Sequence, residues 1–377
     1  MAVAFIDALG YAFRFLLPFP SKTDFQPADI RKILVIRLDH LGDVVMTRPA
    51  IAALHVRYPG ARIDLLVARE FAPLFEDMRE IREVISFTNH WFRTSGDKNF
   101  LSTWDETKSL IKRFKKERYD LAVDFRGDLR HILLMAFAGI PRRVAYGITG
   151  GGFLLTSTKP YDRKKHQVLV NNFLISDLTG EAGAGQFSFP YSGSRKWRFW
   201  NAQGKALSAS AKARIIMHPA AGYPSKCWPL EKYRELIAKI LSGKHAMQII
   251  LIGTEADQKL FPVEEKPEKL TDLRGKTTLA DLPVLFDACQ VYVGNDSGPA
   301  HLAAAQGMHV ISIFSGTNDP DVWRPWTDRL QLVRHAVPCS PCEALSCPLG
   351  HHDCMTKIGV DEVYEKVGAA LAATGLS

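Results

Sequence analysis

The segment VYVGNDSGPAHLAAA, residues 291–305, constrains the chain most. Gln290 to Gly294 is apolar enough for a parallel strand buried on both faces. The Gly, Ser and Pro that follow allow a tight loop entering a helix, with Gly298 leaving room for the backbone and Pro299 in the first turn. The helix mouth then opens just past the strand's carboxyl end, where free N–H groups and the helix dipole favour a phosphate. His301, one turn in, adds a donor. Taken alone, the same residues also fit an ordinary turn capped by Asp296. A second segment, MHPAAGYPSKCWP at 217–229, repeats the design. A strand end leads into a loop containing Gly222, and Lys226 stands just before a helix. Two anion-friendly loops predict one diphosphate between them.

At 377 residues, 46% apolar and 23% charged, the chain is long enough for two domains and ordinary for a folded protein. No run reaches the ~18 uninterrupted apolar residues of a membrane span. The net charge of +8 gathers in residues 31–200, which hold 28 Lys and Arg against 18 Asp and Glu. That imbalance suits an anionic partner for the first half. The basic runs at 112–116 and 163–165 carry no nucleic-acid motif and read as solvated faces, so no nucleic acid is expected.

Residues 1–20 have a helical pattern in which Asp7, Gly10, Tyr11 and Arg14 form one polar stripe on an otherwise apolar surface. The pattern suits either a membrane interface or docking on the protein's own surface. It lacks the basic region and cleavage site of a secretory signal. Residues 31–38 read as a buried strand, followed by the loop Asp39-His40-Leu41-Gly42-Asp43 and a helix to about Tyr58, interrupted near Pro49. Asp43 thus stands at a helix mouth beyond the first strand, where open α/β sheets keep ligands, and no G-x-G-x-x-G dinucleotide turn is present. Strands at 61–68 and 121–125 flank a helix at 103–117. Arg126-Gly127-Asp128 and a helix at about 131–138 follow. Residues 180–205 read as a connection. The second half repeats the scheme, with strands at 214–217, 248–252, 290–294 and 309–314 and helices at 230–241, 279–289, 299–307 and 360–372. Two doubly wound α/β halves with a central cleft are the expected architecture.

Cys227 and Cys289 stand alone and read as small buried apolar residues. Cys339, Cys342, Cys347 and Cys354 form C-x2-C-x4-C-x6-C, with His351 and His352 beside the last. That spacing suits a structural tetrahedral zinc site, with two disulfides or a set of free thiols as the other readings.

Three pieces in register, ILVIRLDHLGDVVMTRPAIAAL, HPAAGYPSKCWP and TTLADLPVLFDACQVYVGNDSGPAHLAAA, together with the tail CSPC…C…CM, resemble glycosyltransferase family 9, the heptosyltransferases of lipopolysaccharide core assembly. The resemblance spans residues 31 to about 360. It implies a GT-B fold of two Rossmann-like domains. Residues 1–28 would form the amphipathic helix and linker, 29–190 the acceptor-binding domain, 205–355 the nucleotide-sugar domain and 356–377 a C-terminal helix. It further implies an ADP-heptose donor, an anionic glycolipid acceptor, a site of action at the cytoplasmic face of the inner membrane, and no catalytic cofactor.

On that reading an acceptor hydroxyl attacks the anomeric carbon in one inverting displacement. Asp43 matches the family's aspartate after glycine and is the expected base, with Asp39 as fallback and a helix cap as the non-catalytic alternative. Lys226, Gly222, Ser297, Gly298 and His301 are expected on the diphosphate. Asp296 would orient sugar hydroxyls or its loop, and Thr277 would lie near the adenine. Arg37 and Arg126, at strand ends, are the acceptor candidates. The rivals are a nucleotide-sugar epimerase or hydrolase on the same scaffold and a non-catalytic nucleotide-sugar-binding protein.

Overall fold

The computed structural model describes Asp7, Gly10 and residues 29–88, 100–180, 185–208, 210–243, 247–263 and 267–375. The side chains of 100–102 are outside this set. The chain forms two compact units, residues 1–185 and 186–377.

The first unit is built on β1 (Lys32–Arg37), β2 (Arg62–Ala68), β3 (Ile81–Phe87), β4 (Leu121–Asp124) and β5 (Arg142–Ala145). They form one parallel sheet in the order β3-β2-β1-β4-β5. The apolar runs of β1, β2 and β4 are buried because helices cover both faces of such a sheet. The helices are α1 (Leu41–Met46), α2 (Arg48–Arg57), α3 (Phe100–Glu117), α4 (Leu129–Phe137) and α5 (Gln167–Thr179). The interruption expected at Pro49 falls at Thr47, whose hydroxyl donates to the Asp43 carbonyl at 2.9 Å. Asn171 of α5 donates to the Met46 carbonyl at 3.0 Å and so anchors the end of α1.

The second unit carries β6 (Ala213–His218), β7 (Met247–Leu251), β8 (Leu270–Asp272), β9 (Val291–Asn295), β10 (His309–Ile313) and β11 (Leu330–Val333), paired as β11-β10-β9-β6-β7-β8. Its longer helices are α6 (Gly193–Gln203), α7 (Leu230–Leu241), α8 (Gly298–Ala305) and α9 (Val360–Ala373). Tyr233, Leu236 and Ile240 of α7 and Val363, Val367 and Ala370 of α9 share a core with Ile215, Ile249, Val293 and Ile311 of the sheet.

Three differences from the sequence reading have physical reasons. Residues 180–205 contain α6, started by Ser192, whose hydroxyl accepts from the Arg195 N–H. β3 reads IREVISF, a half-exposed edge strand whose charges interrupt the apolar run. A further close backbone approach lies at Gly294, where a Cβ would stand 3.0 Å from the His218 carbonyl oxygen. Of the N-terminal stripe, Asp7 accepts from the Gly151 and Gly152 N–H groups at 2.7 and 3.1 Å, and a Cβ on Gly10 would strike the Phe153 ring. Those two positions dock on the first unit. Tyr11 and Arg14 lie outside the described residues. Among the described residues no helix is long and apolar enough to cross a membrane.

Candidate active site

In each sheet the chain reverses its direction of winding beside the first strand, β1 next to β4 and β6 next to β9. The loops leaving those strand ends border the crevice where doubly wound sheets bind ligands. The candidate residues lie on these loops.

In the first unit Asp39 and Asp43 follow β1, and Arg126 follows β4. Asp43 is the third residue of α1 and does not cap it; the cap position is His40, with no side-chain cap bond. Instead Asp43 Oδ1 accepts from Arg37 Nη2 at 2.9 Å. Arg37 is buried, its Nε 3.0 Å from Asp39 Oδ2 and its Nη1 donating to the Phe125 carbonyl at 2.6 Å. Its guanidinium is thereby engaged by the two carboxylates and the β4 end. Asp39, also buried, is paired on its other side with Arg126. Arg126 is a third exposed, and burial of the rest pushes its pKa down to about 10, so it remains a cation at neutral pH.

The Arg126 loop is shaped by Asp124, which accepts from the backbone N–H groups of Arg126, Gly127 and Asp128 at 3.2, 2.9 and 3.2 Å and lies 2.9 Å from His131 Nδ1. Gly127 adopts a φ of +75°, and a Cβ there would overlap the Tyr146 carbonyl, so no other residue fits the turn.

In the second unit the 219–228 and 295–298 loops leave adjacent strands, with His218 opposite Gly294 in the register. Asn295 ties them together. Its Nδ2 donates to the Pro219 carbonyl at 2.8 Å, and its Oδ1 accepts from the Trp228 N–H and the Tyr233 hydroxyl at 3.0 Å each. Lys226 Nζ lies 2.8 Å from Asp296 Oδ2, and Asn318 Nδ2 donates to the same oxygen at 2.9 Å. The α8 cap position is Ser297, with no side-chain cap bond, so its first-turn N–H groups have no side-chain acceptor there. His218 Nδ1 stands 3.2 Å from Ser297 Oγ; burial lowers its pKa to about 4, so the ring is neutral near pH 7. Lys226, Asp296, Ser297 and Gly298 thus come together, and His301 is buried one turn into α8.

Gly222 is exposed and a Cβ there meets nothing within 4 Å. Thr277 sits beyond β8, just before the box that Thr278 and Asp281 form. Sequence reasoning missed Asn295 and Asn318. The first lay inside the strand-loop motif, and the second reaches the site from beyond β10, with no spacing to mark it.

The four tail cysteines are free thiols. Backbone N–H groups, first that of His352, hold the Cys347 thiol below its usual pKa, and burial raises that of Cys354. Among the described residues no group of three or more His, Cys, Asp or Glu is arranged to hold a metal ion, so the zinc suggested by the cysteine spacing is not shown. A cavity of about 720 Å³ lined by Arg31, Lys32, Arg57 and Arg62 lies at the amino ends of β1 and β2, the opposite pole from Asp43.

A family model of glycosyltransferase family 9 (heptosyltransferase) matches residues 107–352. Lipopolysaccharide heptosyltransferase 3 of Escherichia coli is 28% identical over 304 residues, 77% of this chain and 83% of the relative. Lipopolysaccharide heptosyltransferase 2 of the same organism is 25% identical over 357 residues, 90% and 98% of the two chains. The solved structure of E. coli ADP-heptose lipopolysaccharide heptosyltransferase II superposes with a TM-score of 0.74 at 24% identity, covering 91% of this chain and 99% of the other. The two Rossmann-like units are those of the GT-B fold.

Proposed function

The chain belongs to glycosyltransferase family 9 and is a glycosyltransferase; from that premise we propose that it moves a heptose from ADP-heptose to an anionic lipopolysaccharide-core acceptor with inversion at the anomeric carbon. The observation that carries the donor half is the meeting of Lys226 with the uncapped mouth of α8 at two adjacent strand ends. A cation beside the first turn of a helix whose cap position makes no side-chain bond matches a diphosphate.

The acceptor oxygen forms the new bond to the anomeric carbon as the bond to the donor phosphate breaks. Asp43 takes the acceptor's proton on Oδ2, while Arg37 holds Oδ1 and keeps the carboxylate oriented. Asp39, paired with both Arg37 and Arg126, suits the base role less. The departing ADP gains negative charge, which Lys226, the Ser297 and Gly298 backbone and His301 stabilise. Asp296 holds Lys226 before the donor arrives and then orients sugar hydroxyls. Gly222 lends its backbone to the diphosphate and Thr277 borders the adenine. Arg126, partly exposed, receives the acidic acceptor, and Arg37 acts on it through Asp43. Residues 205–355 hold the donor and 29–190 the acceptor. The basic first half and the apolar N-terminal segment associate with the cytoplasmic face of the inner membrane.

The test is ADP release from ADP-heptose with and without heptose-acceptor lipid. Acceptor-dependent release with a glycosylated product is expected. Equal release without acceptor would make the protein a hydrolase, and rearranged donor would make it an epimerase. Binding without turnover in either case would leave only a nucleotide-sugar-binding protein.

A further inference from the structure

The cysteine-bearing tail fastens onto the loop that carries Lys226 at Ser225. Ser225 is buried, and its polar atoms all bond to partners downstream of β10. Its N–H donates to the Leu345 carbonyl at 3.2 Å and its hydroxyl to the Ala344 carbonyl at 2.5 Å. Its carbonyl accepts from His352 Nε2 at 3.0 Å, with Thr317 Oγ1 at 3.5 Å. Because a carbonyl oxygen only accepts, His352 carries its ring hydrogen on Nε2.

That carbonyl belongs to the peptide joining Ser225 to Lys226. The peptide is planar, so fixing its oxygen also fixes the N–H and Cα of Lys226. His352 is itself held in place. Its φ is +52°, a left-handed backbone that non-glycine residues seldom adopt without surrounding support. Its N–H donates to Cys347 Sγ at 3.4 Å, and its carbonyl accepts from the Met355 and Thr356 N–H groups at 2.9 and 3.0 Å. The tail is in turn seated on Gly316, whose carbonyl accepts from Cys342 N–H at 3.1 Å and where a Cβ would press on the Cys354 Cβ at 3.2 Å.

We propose that His352 is a positioning residue for Lys226, setting the backbone from which the lysine reaches the donor diphosphate and coupling the tail to donor affinity. The proposal rests on the reading of Lys226 as a diphosphate ligand. It gives the tail a part in catalysis without requiring a metal at its thiols.

The test is ADP binding to the full chain by calorimetry, with donor KM and kcat alongside, for H352A, H352Q, K226A and the H352A/K226A double variant. Losing one neutral hydrogen bond to the loop should weaken ADP binding about 3- to 10-fold in H352A, with donor KM rising more than kcat falls. H352Q, whose amide can donate to the Ser225 carbonyl, should recover most of the loss. In the K226A background H352A should add little, because the two act as one unit. Wild-type ADP affinity in H352A, or a full further loss in the double variant, would overturn the proposal. So would a glutamine variant that melts like wild type yet binds ADP as poorly as alanine. If K226A itself binds ADP normally, the donor reading falls and takes this proposal with it. A weakened K226A beside a normal H352A sinks the proposal alone. Should H352A fail to fold, H352N, too short to reach the carbonyl, takes its place.

Discussion

Lys226 Nζ and Asp296 Oδ2 are 2.8 Å apart, so the cation assigned to the donor is already neutralised by a buried carboxylate of the neighbouring loop. The pair serves two ends. It keeps a carboxylate from lying buried unpaired, and it holds the ammonium against the residue that precedes the cap of α8. Lys226→Ala should therefore have two separable effects. ADP binding and transfer should fall together, by about 1–3 kcal/mol for a lost charge-assisted hydrogen bond. Without ligand the second unit should also be less stable, by up to about 3 kcal/mol, since among the described residues Asp296 then keeps Asn318 but no cation. Calorimetry reads the first effect and urea denaturation the second. Unchanged ADP affinity with lowered stability would make the pair structural only.

Asp43→Asn retains the shape of the side chain and a partner oxygen for Arg37 while removing the basic oxygen. Because the cap of α1 is His40, no cap bond is lost with the carboxylate. We expect ADP-heptose binding and the melting temperature to stay near wild type. Turnover should fall by about 10²- to 10⁴-fold, the usual span for a general base. Single-turnover transfer by the variant at the wild-type rate would move the base elsewhere.

Much of this could be read from the sequence where a strand is central and its exit loop carries the chemistry. β1, β6 and β9 are buried apolar runs, and the loops after them end in Asp43, Lys226 and Asp296 within a few residues. Edge elements were harder. β8 is three residues long, and β3 sets Arg82, Glu83 and Ser86 among its apolar residues. Side-chain pairing was hidden altogether. Nothing in the spacing of Arg37 shows that it faces two carboxylates behind the loop, because that depends on the depth at which β1 lies under the loop after β4. Nor can sequence show that His352 reaches Ser225, since 127 positions separate them and the tail between them has no regular period.

Arg37→Met tests that hidden pairing. The change removes the buried cation between Asp39 and Asp43 and the donor to the Phe125 carbonyl. Arg126 can still neutralise Asp39, yet Asp43 and the carbonyl lose their partner. Breaking a buried pair on one side costs about 3–5 kcal/mol, which a shifted urea midpoint would report. Ordinary stability with only a raised acceptor KM would return Arg37 to direct acceptor contact.

His218 predicts how the second unit answers to pH. Burial lowers its pKa to about 4, whereas in the unfolded chain the ring titrates near its ordinary value of about 6.5. Between those two values the unfolded chain binds the proton and the folded one does not. Stability therefore rises with pH through that window and is lost as pH falls from about 6.5 towards 4. Above the window both states are neutral and this dependence vanishes; below it both are charged and the loss is complete. The full contribution is at most about 3 kcal/mol. His218→Gln keeps a polar group facing Ser297 and cannot take up the proton, so the gap between wild-type and variant stability should change between pH 7.5 and pH 4.5, with the variant the less acid-sensitive. The ring resonance that disappears in the variant should titrate near pH 4 in wild type. A midpoint near 6.5 for that resonance would mean that the ring is hydrated in the folded protein and that the Ser297 contact does not shield it.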